Sequence, residues 1–181
     1  KMFGVAVGMM ATTFLALLLT QVDKVILSSL LSLETFGLYT LAGLVAGSLS
    51  ILSGPIAQAY YPRMTELVTR KDLGELITIY HRSAQMISVL VGSAAVMLIL
   101  FAERMLLLWT GNASLAHEVA PVLALLAMGN LLNSLMIMPY MLQLAHGWSI
   151  FAVKINIIAV VVLVPAIYWV TPRYGVIGAA W

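Results

Sequence analysis

An all-α, polytopic transmembrane helix bundle is the fold that this sequence predicts, and three observations predict it. Of its 181 residues 62% are hydrophobic and only 9% charged, where a soluble domain carries about 25% charged residues. Its mean hydropathy is +1.05. Its apolar runs approach ~20 residues, the length that crosses ~30 Å of hydrocarbon as a helix. The chain has no Cys, which removes disulfides, thiolate metal sites and Cys nucleophiles together. The net charge of +2 says less than where the charges lie.

Taken in order, the first helix is predicted over about 3–31, with the sequence LLLTQVDKVILSS inside it. A second runs from 33 to about 68, with Pro55 predicting a kink. Charge then appears abruptly in PRMTELVTRKDLGEL. Over 72–82, Leu73, Leu76, Ile77 and Tyr80 fall at i, i+3, i+4 and i+7, the stripe of an amphipathic helix lying at the membrane surface. Asp72 with Glu75 three residues on resembles a capping box. Further spans are predicted over about 83–102, 118–144 and 149–170, with Pro121 in the first turn of the second of these. A polar break around Glu103–Glu118 separates the first two, and TPRYG ends the last before a sixth helix starts at 176. Trp109, Trp148, Trp169, Tyr168 and Tyr174 lie near run ends, as an interfacial aromatic belt does. The start at Lys1 and the last run, GVIGAAW, read as a piece of a longer protein. The 181 residues form a single lobe in this reading.

Orientation follows from Lys and Arg. Arg63, Arg70, Lys71 and Arg82 cluster in the connection between the second and third spans, while the turn before residue 33 has neither residue type. The cluster therefore faces the cytoplasm, and the start of the chain with it.

The polar residues inside the spans are the candidate site. Thr13, Thr20, Gln21, Lys24 and Ser28 gather on one arc about 100° wide, with Asp23 beside it. A charge at a helix centre costs about 2.5–3.5 kcal/mol on insertion scales, so this arc faces a wet cavity or partner helices rather than lipid. In the second span Gly43, Gly47, Ser50, Gly54, Gln58 and Tyr61 recur at steps of three or four. The glycines read as a close-packing face of GxxxG type, and Gln58 and Tyr61 extend it as path-lining or packing residues. Asn130 and Asn133 fall together as interhelical glue or path lining. Lys154, about one turn into its helix, snorkels to the surface or meets an anionic headgroup. Arg63 is a positive-inside anchor or a contact for an anion.

HExxH, GxSxG, a Walker loop and a DxD pair are all absent from the sequence, and His81, His117 and His146 lack metal-ligand spacing. No cofactor and no nucleic acid are therefore expected, and a transporter fits better than an enzyme.

The blocks TQVDKVILSSLLSLETFGLYTLA, SGPIAQAYYPRMTEL and TPRYGVIGAA resemble the second half of Wzx-type polysaccharide flippases, in the polysaccharide-transport branch of the multidrug/oligosaccharidyl-lipid/polysaccharide (MOP) exporter superfamily. The resemblance implies one lobe, about five helices and the start of a sixth, of a two-lobed MOP/MATE-like transporter in a bacterial inner membrane. It implies translocation of an undecaprenyl-diphosphate-linked oligosaccharide from the cytoplasmic to the periplasmic leaflet by alternating access, coupled to an ion gradient. The implied partners are that lipid-linked substrate, membrane lipids, an amino-terminal lobe, and polymerase and chain-length machinery. Lys24 then supplies positive charge to the cavity that the substrate passes. Gln21, Gln58, Tyr61, Asn130 and Asn133 bond sugar hydroxyls, Arg63 meets the diphosphate on arrival, and Asp23 is the ion-coupling candidate. Alternatives are a drug or cation exporter or a lipid-linked peptidoglycan precursor flippase of the same superfamily. A membrane-embedded polymerase or ligase fits less well.

Overall fold

The computed structural model describes Lys24, residues 27–29 and residues 32–180. Six helices follow one another: α1 (Leu33–Arg70), α2 (Leu73–Leu100), α3 (Ala102–Thr110), α4 (Ala113–Leu135), α5 (Ile137–Ala145) and α6 (Ser149–Ala180). No strand occurs among the described residues. Three stretches are long and apolar enough to cross a membrane, Leu33–Arg70, Leu73–Leu100 and Ala113–Ala145. The fold is thus the all-α transmembrane bundle that composition predicts.

The described chain falls into two compact units, Gly37–His146 and a second drawn from the flanking segments Lys1–Phe36 and Gly147–Trp181. In the first unit α2 and α3 both pack on α4. On α2 the buried row is Leu76, Ser83, Ile87, Val91, Ala95 and Leu98, at steps of seven, four and three residues that keep one helical face inward. On α4 it is Ala116, Val119, Val122, Leu123, Ala127 and Ser134. Alanines at these positions let helix backbones approach, which matters where lipid removes the hydrophobic drive between helices and dispersion must hold them. The outer surface also carries large apolar side chains, with Leu44, Ile51, Val89, Leu100 and Leu108 all well exposed.

The helix ends differ from the sequence reading in five places, each with a local reason. The surface helix 72–82 and the span 83–102 are one continuous helix, because nothing in 80–84 breaks the backbone ladder. The polar break after Phe101 holds the short helix α3, closed by Gly111 in the left-handed conformation (φ 67°), a backbone state that glycine adopts without strain. Asn112 then caps α4, its side-chain carbonyl accepting from Leu115 N–H at 3.2 Å. That cap starts the helix at Ala113 and puts Pro121 in its interior rather than its first turn. The same span divides at Met136, where Pro139 has no N–H to give the Leu135 carbonyl and its ring crowds it. Helix α6 continues through TPRYG, as membrane helices do when neighbouring groups satisfy the freed backbone. Helix α1 is likewise unbroken across Pro55 and Pro62.

The turn between α1 and α2 is tightly specified. Lys71 takes the left-handed position (φ 58°) usually given to glycine. Asp72 N–H bonds the Leu67 carbonyl at 3.1 Å and Lys71 N–H the Val68 carbonyl at 3.2 Å, a Schellman closure. Asp72 then caps α2, accepting from Glu75 N–H at 3.1 Å.

Candidate functional site

Helix α1 carries three distinct sectors around its circumference. At about 100° per residue, Tyr39, Ala42, Ala46, Leu49, Ser53, Ala57 and Met64 gather in one sector, and all are buried. On one flank lie Gly43, Gly47, Ser50, Gly54, Gln58 and Tyr61. On the other lie the exposed Leu44, Ile51 and Leu52. The helix is thus packed on one side, apolar and exposed on a second, and small or polar on a third.

The small-and-polar flank is open. Among the described residues, no atom beyond the helix's own nearby backbone comes within 4 Å of where a Cβ would sit on Gly43, Gly47 or Gly54. The close-packed GxxxG expected from sequence is therefore not formed among the described residues. The four-residue spacing meets the packing motif, but no described helix lies against it. Ser50 and Gln58 are exposed on this flank and Tyr61 is half-buried.

Asn130 meets the flank from α4. Ser50 Oγ donates to its side-chain carbonyl at 3.5 Å, while its own amide donates to the Leu126 carbonyl at 2.9 Å. One turn further along, buried Ser53 and Ser134 face each other at 3.5 Å, and Ser53 also donates to the Ser50 carbonyl at 3.2 Å. These bonds tie α1 to α4 through polar side chains, of the kind that join membrane helices. Asn133 is exposed, so only Asn130 of the pair is engaged. Its link to Ser50 was not visible in sequence, since eighty residues separate the two.

Arg63 is engaged twice. Its guanidinium donates to Glu66 and to Glu75, both at 2.6 Å, and Arg70 bonds the other Glu66 oxygen at 2.8 Å. Helix α1, at 38 residues, is about 57 Å long against ~30 Å of hydrocarbon. That excess leaves room for its last turns, which carry this charged network, to lie beyond the hydrocarbon. The bonds to Glu75 and then Glu66 hold the Arg63 guanidinium more firmly protonated than an isolated arginine. The hydrogen bond from Arg63 in turn keeps the Glu66 carboxyl below the usual carboxylate range. The capping box read from sequence is half made: Asp72 caps, but the Glu75 side chain goes to Arg63. The i,i+3 spacing of Arg63 and Glu66 was a signal for part of this network, and Glu75 was missed because a turn brings it back.

The other candidates lie elsewhere. Lys24 is helical and exposed, and Lys154 is exposed on α6. Both belong to the second unit. Gln21 and Asp23 lie outside the described residues. Among the described residues no group of three or more His, Asp or Glu side chains is placed to hold a metal ion.

A chain of long apolar helices, with a polar flank on one of them, belongs to the class of multi-pass membrane proteins. Comparison with known proteins supplies the family. The model of the polysaccharide biosynthesis protein family matches residues 1–117, and the chain belongs to that family, as its resemblance to Wzx-type flippases implied. It is similar to a protein of Shigella flexneri named "Putative O-antigen transporter", at 21% identity over 180 residues, covering 99% of this chain and 42% of that protein. The chain thus spans about two-fifths of the length of the curated relative it matches. No solved structure matches.

Proposed function

We propose that this chain forms part of a flippase that moves a lipid-diphosphate-linked oligosaccharide across the bacterial inner membrane. The observation that carries the reading is the open small-and-polar flank of α1, Gly43 to Tyr61, on a helix otherwise buried or apolar. A sugar chain needs hydroxyl-bonding groups and room beside a helix backbone. Glycines supply the room, and Ser50, Gln58, Tyr61 and Asn130 supply the bonds, with Asn133 and Gln21 extending the set. Family membership and the name of the Shigella relative support the same reading.

Lys24 is proposed to meet the diphosphate, because an ammonium within a span is tolerated where it faces water or an anion. Lys154 is a second cation for a headgroup. Asp23 is the proposed coupling site for a proton or cation. Arg63 keeps N–H donors beyond those given to Glu66 and Glu75, so its half-exposed guanidinium can meet a phosphate while the α1–α2 turn stays closed. The positive-inside count places that turn in the cytoplasm. Transport then proceeds from cytoplasmic to periplasmic leaflet by alternating access against an amino-terminal lobe, with polymerase and chain-length machinery acting after it.

The test uses the full chain in a bacterium lacking its own polysaccharide flippase. Surface polysaccharide is expected to return with the wild-type protein and to be lost in Gln58→Leu and Lys24→Ala at equal protein level. Full restoration by both variants would overturn the assignment of these residues. No restoration with any donor sugar would overturn the function.

A further inference from the structure

The exposed apolar flank of α1 holds a groove that the transport reading does not use. It has a volume of about 280 Å³ and is lined by Val45 and Ser48 of α1, Met105, Leu106 and Trp109 of α3, and Leu123 of α4. Leu106 and Leu123 are buried and form its floor, while Met105 and Trp109 are exposed on its rim. Ser48 does not make it polar, because its hydroxyl donates to the Val45 carbonyl of its own helix at 2.7 Å. Apart from the Trp109 indole N–H at the rim, the lining offers water almost no polar partner, and an empty groove forfeits the dispersion contacts that would fill it.

We propose that this groove is a binding site for one acyl chain of a bilayer phospholipid in the periplasmic leaflet. The wheel of α1 decides what covers it. Val45 and Ser48 lie about 155° around the helix from the small-and-polar flank, in the same sector as exposed Leu44, Ile51 and Leu52. The groove therefore opens on the hydrocarbon side of a membrane-crossing helix. Met105 and Trp109 on its rim are bulky and exposed, unlike the small residues enriched where membrane helices pair closely. The volume lies at the low end for ligand pockets, the size for a single tail and not for a lipid-linked oligosaccharide. Trp109 stands two residues before the Gly111–Asn112 turn, where an indole anchors at the headgroup level. The leaflet follows from the positive-inside orientation. The site itself depends only on the membrane fold, so it stands or falls apart from the identity of the transported substrate.

The experiment reconstitutes the full chain in vesicles of phosphatidylethanolamine and phosphatidylglycerol containing a phosphatidylglycerol with a diazirine in its acyl chain. Light-induced adducts are mapped by mass spectrometry. Adducts on Leu106 and Leu123 are expected, since a carbene reaches these buried side chains only from within the groove. They are expected to disappear in Ser48→Phe, which fills it, while adducts on Leu108, exposed outside it, persist. Should Ser48→Phe fail to insert, Val45→Met fills the same space. Labelling of Leu108 without the floor residues would overturn the proposal. So would floor labelling by a diazirine polyprenyl phosphate and not by the phospholipid, which would give the groove to the transported lipid. Crosslinks between copies through Met105 would overturn it in favour of a protein partner.

Discussion

Replacing Gly47 of α1 by alanine is expected to stabilise this protein, against the usual rule for a GxxxG motif in a membrane helix. A glycine inside a helix costs about 0.8–1.0 kcal/mol relative to alanine. A methyl group at Gly47, Gly43 or Gly54 meets no neighbouring helix within 4 Å among the described residues, so none of these offsets that gain. Were these glycines a packed interface, the added methyl would cost about 1–3 kcal/mol in overpacking. The two accounts differ in sign and by about 2 kcal/mol or more per site, taking the propensity gain and the overpacking cost together. Reversible unfolding of Gly43→Ala, Gly47→Ala and Gly54→Ala in bicelles, titrated with dodecyl sulfate, separates them. Raised stability in all three supports an open flank. Lowered stability in two or more would refute the reasoning, because it would show a helix seated on the glycines.

Three further outcomes follow from the packed unit and the α1–α2 turn. Ile87→Ala removes a side chain only 1% exposed at the centre of the buried α2 row and is expected to cost about 2–5 kcal/mol, while Val89→Ala on the exposed face changes stability by less than about 0.5 kcal/mol; the same unfolding titration compares them. Ser134→Ala is expected to cost under about 1 kcal/mol, because Ser53 keeps its bond to the Ser50 carbonyl, and a larger loss in that assay would count against this bond arrangement. The Glu66 carboxyl, held below its ordinary value of 4.5 by Arg63, contributes stability that is fully present above that value and is lost as pH falls through the lowered one; Glu66→Gln should therefore flatten the acid side of the stability profile and leave its slope near neutral pH unchanged.

The membrane fold was legible in the sequence because composition and run length answer directly to bilayer thickness. Helix ends were less so. The polar residues between 103 and 118 read as a break, yet Gly111 and Asn112 confine that break to two residues and let helices form on both sides. Pro121 and Pro139 look alike in sequence, but the helix continues through the first and divides just before the second. Periodicity found the small-and-polar flank of α1, since the residues of one helix share a face by arithmetic alone. It could not say whether that flank is covered, because coverage depends on which other helices arrive. The same limit hid the bonds from Ser50 to Asn130 and from Arg63 to Glu75, where partners from two helices meet through the tertiary fold.

The most direct test of the central claim, that the open flank of α1 lines the path of a lipid-linked oligosaccharide, is a translocation measurement with the full chain reconstituted in vesicles. An undecaprenyl-diphosphate-linked oligosaccharide is placed in one leaflet, and its arrival in the other is read by a sugar-oxidising enzyme added outside. The account predicts translocation by the wild-type protein and its loss in Gly47→Trp, which narrows the flank, while the variant unfolds at the wild-type detergent concentration or above. Equal translocation by wild type and folded Gly47→Trp would contradict it.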